Sequence, residues 1–291
     1  MWQEYLFPAS VQEALEMLVS YKGEARIVAG GTDLILELKE GKRRVKALVD
    51  ITRIPGLDEI ELKEGMIVLG AGVTHRQAWE SSLVRERAAV LAEACHAIGS
   101  PQIRNVGTIV GNVVNAQPAA DAAIALTALG AELEVADLDG RRWIPIGELY
   151  EGPGRSKVDP THQMVTAVRF PALRPGQGSA FERLAKRRAL ALPILNTAVV
   201  VGLEGDDRAF AEARIALGPV APTPFRARRA EKALHGASIG EGSIAKAAEI
   251  ASREAKPRTS LLRASEEYRR EMIKVLVRRA LRRALEEAQG R

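Results

Sequence analysis

The stretch RIVAGGTDLILEL, residues 26–38, places two glycines, a threonine and an aspartate between two apolar runs. The first run, Ile27 to Ala29, is short and apolar, which is typical of a buried strand. The second run begins at Leu34, directly after Thr32 and Asp33, which are residue types that often cap a helix. A turn without Cβ atoms lets a ligand touch the backbone, and a helix N-terminus offers unpaired N–H groups to an anion. The pattern therefore predicts strand, tight turn and short helix, and by itself it fits an anion site or a purely structural turn equally well.

A second glycine turn occurs in RNVGTIVGNVVNAQPAAD, residues 104–121. It runs from Gly107 to Asn112, and a carboxylate, Asp121, follows just before a small apolar helix. Backbone N–H groups from two glycine turns could hold a pyrophosphate from both sides, and the carboxylate could accept hydrogen bonds from a ribose diol. Together the two stretches predict a dinucleotide that lies between two lobes.

Composition limits the chemistry that the chain can perform alone. With 291 residues, 46% of them apolar and 27% charged, the chain is typical of a globular protein with two or three structural units. Its single cysteine, Cys95, excludes an internal disulfide and excludes an iron–sulfur cluster or structural zinc held by its own thiolates. The four histidines are scattered without ligand spacing. We therefore predict neither a metal site nor a hydrolytic triad.

Charge and hydropathy argue against two classes of partner. No run approaches the roughly 20 apolar residues of a membrane span, and the start of the chain, with Glu4 and no basic region, does not resemble a signal peptide. A cytoplasmic location is expected. The net charge is +5, but aromatic residues make up only 4% of the chain, so no stacking platform for nucleic acid is present. In the terminal helix the arginines fall between apolar positions, which predicts a packed helix whose charged side faces solvent or a partner.

The order of the predicted elements changes at LRPGQGS, residues 173–179. Before this linker, strands and helices alternate, and one helix is predicted over Leu83–Ile98. The segment GAGVTH, residues 70–75, begins like a dinucleotide fingerprint but lacks the third glycine, so we assign it no function. After the linker, three predicted strands precede three helices, which favours an α+β unit with an antiparallel sheet.

The chain resembles the flavoprotein (medium) subunit of the molybdenum hydroxylases, the xanthine dehydrogenase and carbon monoxide dehydrogenase family. Members carry an AGGT(D/S)L turn and an RN.GTIGGN…SP.(G/S)D stretch, which residues 29–34 and 104–121 match here. The segments FERLAKRRALALPILNTAVVV, residues 181–201, and RASEEYRREMIKVLVRRAL, residues 263–281, look like the carboxy-terminal domain of that family. The resemblance covers the whole chain.

The resemblance implies an α+β fold with two domains. A two-lobed FAD-binding domain of the vanillyl-alcohol-oxidase (PCMH) type is expected over residues 1–174, with lobes at about 1–55 and 56–174. A carboxy-terminal domain of three-stranded antiparallel sheet and helices is expected over residues 175–291. FAD would lie between the lobes without a covalent link, because neither glycine turn contains a histidine or a cysteine.

The resemblance also assigns residues to parts of FAD, and it implies no catalytic residue. The first turn is implied to surround the pyrophosphate through Arg26, Ile27, Val28, Ala29, Gly30, Gly31, Thr32 and Asp33. The second turn is implied to lie on the other side of the pyrophosphate through Thr108, Ile109, Val110, Gly111 and Asn112. Asp121 is implied to lie near the ribose of the adenosine half. Three residues are implied to lie near the flavin ring: Ile98, Val165 and Arg183.

The chain departs from the family pattern at three positions of the second stretch. Val110 stands where a glycine is usual, Gln117 replaces a serine, and Ala120 replaces a small or hydroxyl residue before Asp121. A β-branched residue disfavours positive φ, so Val110 predicts a turn that is shifted from the family's. Some relatives also hold an extra cluster in a cysteine-rich loop, which this chain lacks.

The function implied by the resemblance is electron transfer within a complex. A large partner with a molybdenum cofactor would oxidise the substrate, and a small partner with two-iron two-sulfur clusters would carry electrons to FAD, which would pass them to an external acceptor. The complex would be a heterohexamer. Two alternatives stay open from the residues: a self-contained flavoenzyme of the same flavin fold, and a non-catalytic scaffold or nucleic-acid-binding protein with a basic terminal helix.

Overall fold

The computed structural model describes residues 2–187, 189–205, 208–261 and 263–290. Its amino-terminal sheet is parallel, with strand order β1-β3-β2. The elements of this part are β1 (Glu4–Leu6), α1 (Val11–Ser20), β2 (Ala25–Val28), α2 (Leu34–Lys39) and β3 (Ala47–Asp50). Parallel strands end at the same edge of their sheet, so the residues that follow β2 and β3 lie together at its carboxyl edge.

The central sheet is antiparallel and has the strand order β4-β5-β10-β6-β7. Its strands are β4 (Ile60–Lys63), β5 (Met66–Gly70), β6 (Glu132–Asp137), β7 (Gly140–Pro145) and β10 (Met164–Pro171). Helices fill the chain between β5 and β6: α3 (His75–Glu80), α4 (Ser82–Arg87), α5 (Ala89–Ala97), α6 (Pro101–Val106), α7 (Ile109–Val114) and α8 (Asp121–Leu129). A small ribbon of β8 (Tyr150–Gly152) and β9 (Arg155–Ser156) precedes β10.

The prediction of a single helix over Leu83–Ile98 is wrong in one respect, because two helices, α4 and α5, meet at Ala88. Ala88 has φ −160° and ψ 50°, which lie outside the helical region. Tertiary bonds explain the break. The carbonyl of Arg87 accepts a hydrogen bond from the backbone N–H of Leu173, and the N–H of Val90 donates to the hydroxyl of Ser179. The linker after β10 thus binds backbone groups that a continuous helix would have used.

The carboxy-terminal sheet is antiparallel in the order β11-β12-β13-β14. Three long strands, as predicted, are joined by a two-residue fourth strand: β11 (Gln177–Ala185), β12 (Pro193–Leu203), β13 (Phe210–Gly218) and β14 (Phe225–Arg226). The helices that follow are α9 (Arg228–Leu234), α10 (Glu241–Glu254) and α11 (Glu266–Gly290). The predicted α+β unit of strands followed by helices is therefore confirmed.

Two large apolar cores stabilise the chain, one under the amino-terminal and central sheets and one between the carboxy-terminal sheet and its helices. Helix α8 lies at the junction, where it packs against α5 on one side and against β12 and β13 on the other. All nine of its residues are buried, including the aspartate at its first position, Asp121. In the part of the chain that the structure describes, no helix has the length and hydropathy of a membrane span.

The charged side of α11 is largely engaged by the chain itself. Arg269 is buried and donates to the backbone carbonyls of Arg258 and Pro219. Further along the helix, Arg282 pairs with Glu241, and Arg283 binds the carboxylates of Glu93 and Glu182. These arginines bind α11 to neighbouring elements of the same chain. Fewer positive side chains of α11 are therefore available to a partner than the sequence pattern indicated.

Candidate dinucleotide site

The two glycine turns meet backbone to backbone. A Cβ atom built at Gly30 would lie 1.9 Å from the carbonyl oxygen of Val106 and 2.8 Å from the Cα atom of Gly107. Real Cβ atoms do not approach other heavy atoms so closely, so only glycine allows this contact. The sequence placed these turns about 75 residues apart, and the fold brings them together at the carboxyl edge of the amino-terminal sheet.

The first turn adopts the predicted strand, turn and short helix. Gly31 has φ +65°, a conformation that favours glycine. Asp33 occupies the N-cap position of α2, but its side chain makes no cap hydrogen bond. Instead, the carboxylate interacts with the side chains of Thr32 and Asn115, while burial raises its pKa above the usual value. Since Asn115 is the C-cap of α7, Asp33 joins the first turn to the helix that follows the second turn.

The second turn opens a helix, and Val110 fits it without strain. Thr108 is the N-cap of α7 and accepts a hydrogen bond of 3.1 Å from the N–H of Gly111. Val110 lies within α7, is 5% exposed, and does not have positive φ. Valine at position 110 predicted a turn shifted from that of the family. Because the backbone of Val110 is helical, valine fits there without such a shift. Within the described residues, the buried side-chain oxygen of Asn112 has no hydrogen-bond partner.

A cleft with a volume of about 640 Å³ opens beside the paired turns, within the range of small-molecule sites. One wall follows the carboxyl edge of the amino-terminal sheet and includes Ala29, Gly30, Ile51 and Thr52. The facing wall comes from the central part of the chain and includes Gly72, Thr74, Val106 and Thr108. The cleft thus lies between the two sheets and contains backbone from both glycine turns.

The segment GAGVTH, to which we assigned no function, contributes to this cleft. It continues β5 and binds the second turn: the N–H of His75 donates to the carbonyl of Gly107 at 3.0 Å, and the N–H of Ile109 donates to that of Val73 at 3.0 Å. Cleft residues that the sequence reasoning missed include Arg76, Gln77 and Asn105. The small residues Gly70 and Gly72, which the carbonyl of Leu57 approaches closely, were the signal that could have identified this segment.

His75 lies buried behind the second turn. Its side chain is 3% exposed, and its Nδ1 atom has no hydrogen-bond partner among the described residues. Burial, together with the positive charge of Arg104, lowers the pKa of His75 to about 4. The imidazole is therefore neutral at physiological pH, and no positive charge from it reaches the turns.

Asp121 and Arg183 meet at the junction of the two cores, outside the cleft lining. The Nε atom of Arg183 donates to Oδ2 of Asp121 at 3.1 Å, and Nδ2 of Asn196 donates to Oδ1 at 2.6 Å. A second guanidinium nitrogen of Arg183 donates to the carbonyl of Ala191. Burial raises the pKa of Asp121, and the charge of Arg183 and the bond from Asn196 oppose that rise.

Of the residues that the resemblance assigned to FAD, three line the cleft, Ala29, Gly30 and Thr108. Arg26, Val165 and Ile98 are among those that do not. The guanidinium of Arg26 donates to the carbonyls of Gly23 and Ala25, towards the opposite end of β2 from the glycine turn. Val165 is 5% exposed, in β10 next to a β-bulge. Ile98 is the C-cap of α5, and its carbonyl accepts a hydrogen bond of 2.9 Å from Arg104.

These features fit a bound dinucleotide. Backbone of both turns lines the cleft at Ala29, Gly30 and Thr108, where a pyrophosphate can approach it. In the described part of the chain, no group of three or more His, Cys, Asp or Glu side chains could hold a metal ion. Cys95 is fully buried, and burial raises the pKa of its thiol, as expected of an inert core residue.

Comparison with known proteins identifies the family. Residues 2–173 match the family described as the FAD binding domain in molybdopterin dehydrogenase, and residues 180–284 match the carbon monoxide dehydrogenase flavoprotein C-terminal domain. The xanthine dehydrogenase FAD-binding subunit of Escherichia coli O157:H7 is 31% identical, over 97% of this chain and 96% of that protein. The carbon monoxide dehydrogenase medium chain of Hydrogenophaga pseudoflava is 32% identical, over 96% of this chain and 95% of that protein.

The fold agrees with these matches. A chain in the structure of carbon monoxide dehydrogenase from Hydrogenophaga pseudoflava superposes with a TM-score of 0.92 and 31% identity, over 99% of this chain and 98% of that chain. The relatives are dehydrogenase subunits, and the matched amino-terminal domain is an FAD-binding domain. This chain therefore belongs to the family of FAD-binding flavoprotein subunits of the molybdenum hydroxylases, and it is an oxidoreductase subunit whose cofactor is FAD.

Proposed function

We propose that the chain takes electrons from the iron–sulfur clusters of a partner subunit and passes them through FAD to an external acceptor. The observation that carries this proposal is the pairing of the two glycine turns beside a cleft, in a chain whose described residues hold no metal-ligand group. When bound, FAD supplies redox chemistry for one or two electrons, and the chain's own residues bind it, orient it and set the charge around it.

The glycine turns are proposed to bind the pyrophosphate. On the first side are Ile27, Val28, Ala29, Gly30, Gly31, Thr32 and Asp33, and on the second are Thr108, Ile109, Val110, Gly111 and Asn112. Backbone N–H groups of the first turn suit a dianion, whereas the N–H groups of Ile109 and Gly111 in α7 already donate to Val73 and Thr108. The carboxylate of Asp33 would repel a phosphate at close range, so we assign it the role of holding Asn115 and Thr32 in place.

Arg183 and Asp121 are proposed to act together at the flavin end of the cofactor, with Ile98 and Val165. Their ion pair is 3.1 Å long, so both side chains must lie at the same end of an extended dinucleotide. We place this end at the ring, where the resemblance puts Arg183, so Asp121 is assigned there and not to the ribose of the adenosine half. A buried guanidinium beside the ring would stabilise negative charge on the reduced cofactor, and Asp121 would fix its position.

The partners proposed are a large molybdenum-cofactor subunit and a small iron–sulfur subunit, in a heterohexamer in the cytoplasm. The names of the relatives support this, because they are called subunits or medium chains of dehydrogenases. Residues 1–174, in lobes of about 1–55 and 56–174, would carry FAD, and residues 175–291 would form the second domain. No nucleic acid is expected to bind, since several arginines of α11 are engaged within the chain.

Purification from the native host tests this function. A tag at the amino terminus should recover the chain with molybdenum, iron and about one FAD per chain, and acid precipitation should release all the flavin because the link is non-covalent. The isolated chain should reduce artificial dyes weakly and hydroxylate nothing. A free, fully active monomer without either metal would overturn the proposal and favour a self-contained flavoenzyme; a chain without flavin would favour the scaffold.

A further inference from the structure

A second concavity lies at the amino edge of the parallel sheet, at the opposite end of β2 from the glycine turn. It has a volume of about 510 Å³ and is formed by the start of β2 and the loop between α2 and β3. Its charged lining consists of Glu24 and three basic residues, Arg43, Arg44 and Lys46, which we call the basic pocket. A strand of four residues spans roughly 13 Å, so this pocket is distinct from the dinucleotide cleft.

The cations of the basic pocket are only loosely engaged. Lys46 pairs with Glu24 at 2.5 Å and Arg43 pairs with Glu37 at 2.8 Å, and all four side chains are at least one third exposed. Exposed pairs of this kind contribute about 0–1 kcal/mol, so an incoming anion can compete for them. Arg44 is exposed, and the structure records no ion pair or hydrogen bond of its side chain with any described residue.

A half-buried cation increases the positive charge of this region. Arg26, on β2, uses one guanidinium nitrogen to donate to the carbonyls of Gly23 and Ala25. Its Nε atom is buried and has no partner among the described residues. Burial lowers the pKa of Arg26, repulsion from the charge of Arg43 lowers it further, and the carboxylate of Asp159 opposes both effects. An anion bound here would relieve that repulsion.

We infer that the basic pocket binds a small phosphate-bearing molecule. Two N–H groups of one guanidinium can donate to two oxygens of the same phosphate. Two arginines and one lysine can therefore bind two or three phosphate oxygens at once. The volume suits a small molecule, and a concave site is better matched to a compact anion than to the extended backbone of a nucleic acid. The ligand would bind beside the lobe that carries the first glycine turn without entering the flavin cleft.

Calorimetric titration of inorganic pyrophosphate into the FAD-saturated chain tests this inference. Saturation with FAD fills the site at the glycine turns, and chloride at matched ionic strength measures non-specific screening. The variants are Arg44→Ala and the double variant Arg43→Ala/Arg44→Ala. The matched control is Arg85→Ala, at an exposed arginine in the last turn of α4.

The expected result is saturable binding to the wild-type chain, a dissociation constant about tenfold higher in the double variant, and a change of less than about twofold in the control. Binding no stronger than that of chloride, or equal binding in all variants, would overturn the inference. The flavin absorption spectrum should stay the same in every variant, so failure of FAD binding can be distinguished from failure of this site. Arg44→Ala alone removes no ion pair, so it keeps the test valid if the double variant misfolds.

Discussion

Asp121, the first residue of α8, and Arg183, in β11, form an ion pair of 3.1 Å across the junction of the two cores. The side chains are 5% and 12% exposed. Breaking a buried pair on one side leaves an uncompensated charge, whereas exposed pairs contribute little. This pair therefore couples two properties that can be measured separately, the charge near the proposed flavin ring and the stability of the junction.

We predict that Arg183→Met destabilises the chain by about 3–5 kcal/mol at pH 7.5 and by less at pH 5. Burial already raises the folded-state pKa of Asp121, so the folded state binds its proton more tightly than the unfolded state does. The contribution of this group to stability is therefore greatest below the unfolded pKa and is lost as the pH rises through the folded pKa. Removing Arg183 raises the folded pKa further, which makes the loss larger at neutral pH.

Urea denaturation at the two pH values measures this effect. Addition of Asp121→Asn to the Arg183→Met variant should recover part of the stability at pH 7.5, because no charge then remains buried. The control is Arg282→Met, whose exposed pair with Glu241 should cost no more than about 1 kcal/mol. An equal loss for Arg183→Met at both pH values would contradict the assignment of a charged Asp121.

Gly30→Ala should reduce FAD affinity by about tenfold or more while the carboxy-terminal sheet stays folded. The added Cβ atom would lie 1.9 Å from the carbonyl oxygen of Val106, so the two turns must separate. Isothermal calorimetry with FAD measures the affinity, and Gly147→Ala is the control because a Cβ atom there meets no atom within 4 Å. Unchanged affinity in Gly30→Ala would show that the contact between the turns is not part of the site.

His75→Leu should make stability less sensitive to pH between 7 and 5. The folded-state pKa is lowered to about 4 from the model-peptide value of 6.5. Stability from this group is complete above about pH 6.5 and is lost as the pH falls towards 4, which amounts to about 2 kcal/mol by pH 5. Denaturation curves should show that the free energy of unfolding falls by about 2 kcal/mol more in the wild type than in His75→Leu between pH 7 and pH 5. His162→Leu is the matched control, because His162 is exposed. If the stability of the wild type and of His75→Leu depended on pH equally, this explanation would be wrong.

Much of the fold was predictable because its signals are local. The strand, turn and short helix around Gly31 follow from apolar runs and from a glycine that supplies positive φ. The order of strands and then helices after residue 179 gave the α+β unit of the carboxy-terminal part. The glycine stretches and the tail carried the family resemblance, which the comparisons confirm.

What the sequence could not supply depends on contacts between distant residues. Nothing near Asp121 in the chain indicates that Arg183, 62 residues later, binds it. The break at Ala88 requires bonds from Leu173 and Ser179. The segment GAGVTH needs its two glycines because the backbone of Leu57 approaches them closely, a contact that the segment by itself does not reveal.

Val110→Gly restores the residue that the family usually has, yet we predict that it lowers stability by about 2–3 kcal/mol and leaves FAD affinity within about twofold. The valine side chain is buried, and its backbone is helical within α7, so glycine removes apolar contact and adds freedom to the unfolded chain. Nothing in this conformation requires positive φ. The matched control is Val114→Gly in the same helix, where the side chain is only partly buried and the loss should be smaller. Urea denaturation measures the stability and calorimetry measures the FAD affinity of each variant. A clear gain in FAD affinity in Val110→Gly would mean that the valine distorts the turn. Lost stability at constant FAD affinity would mean that the valine packs in a turn that does not require glycine at this position.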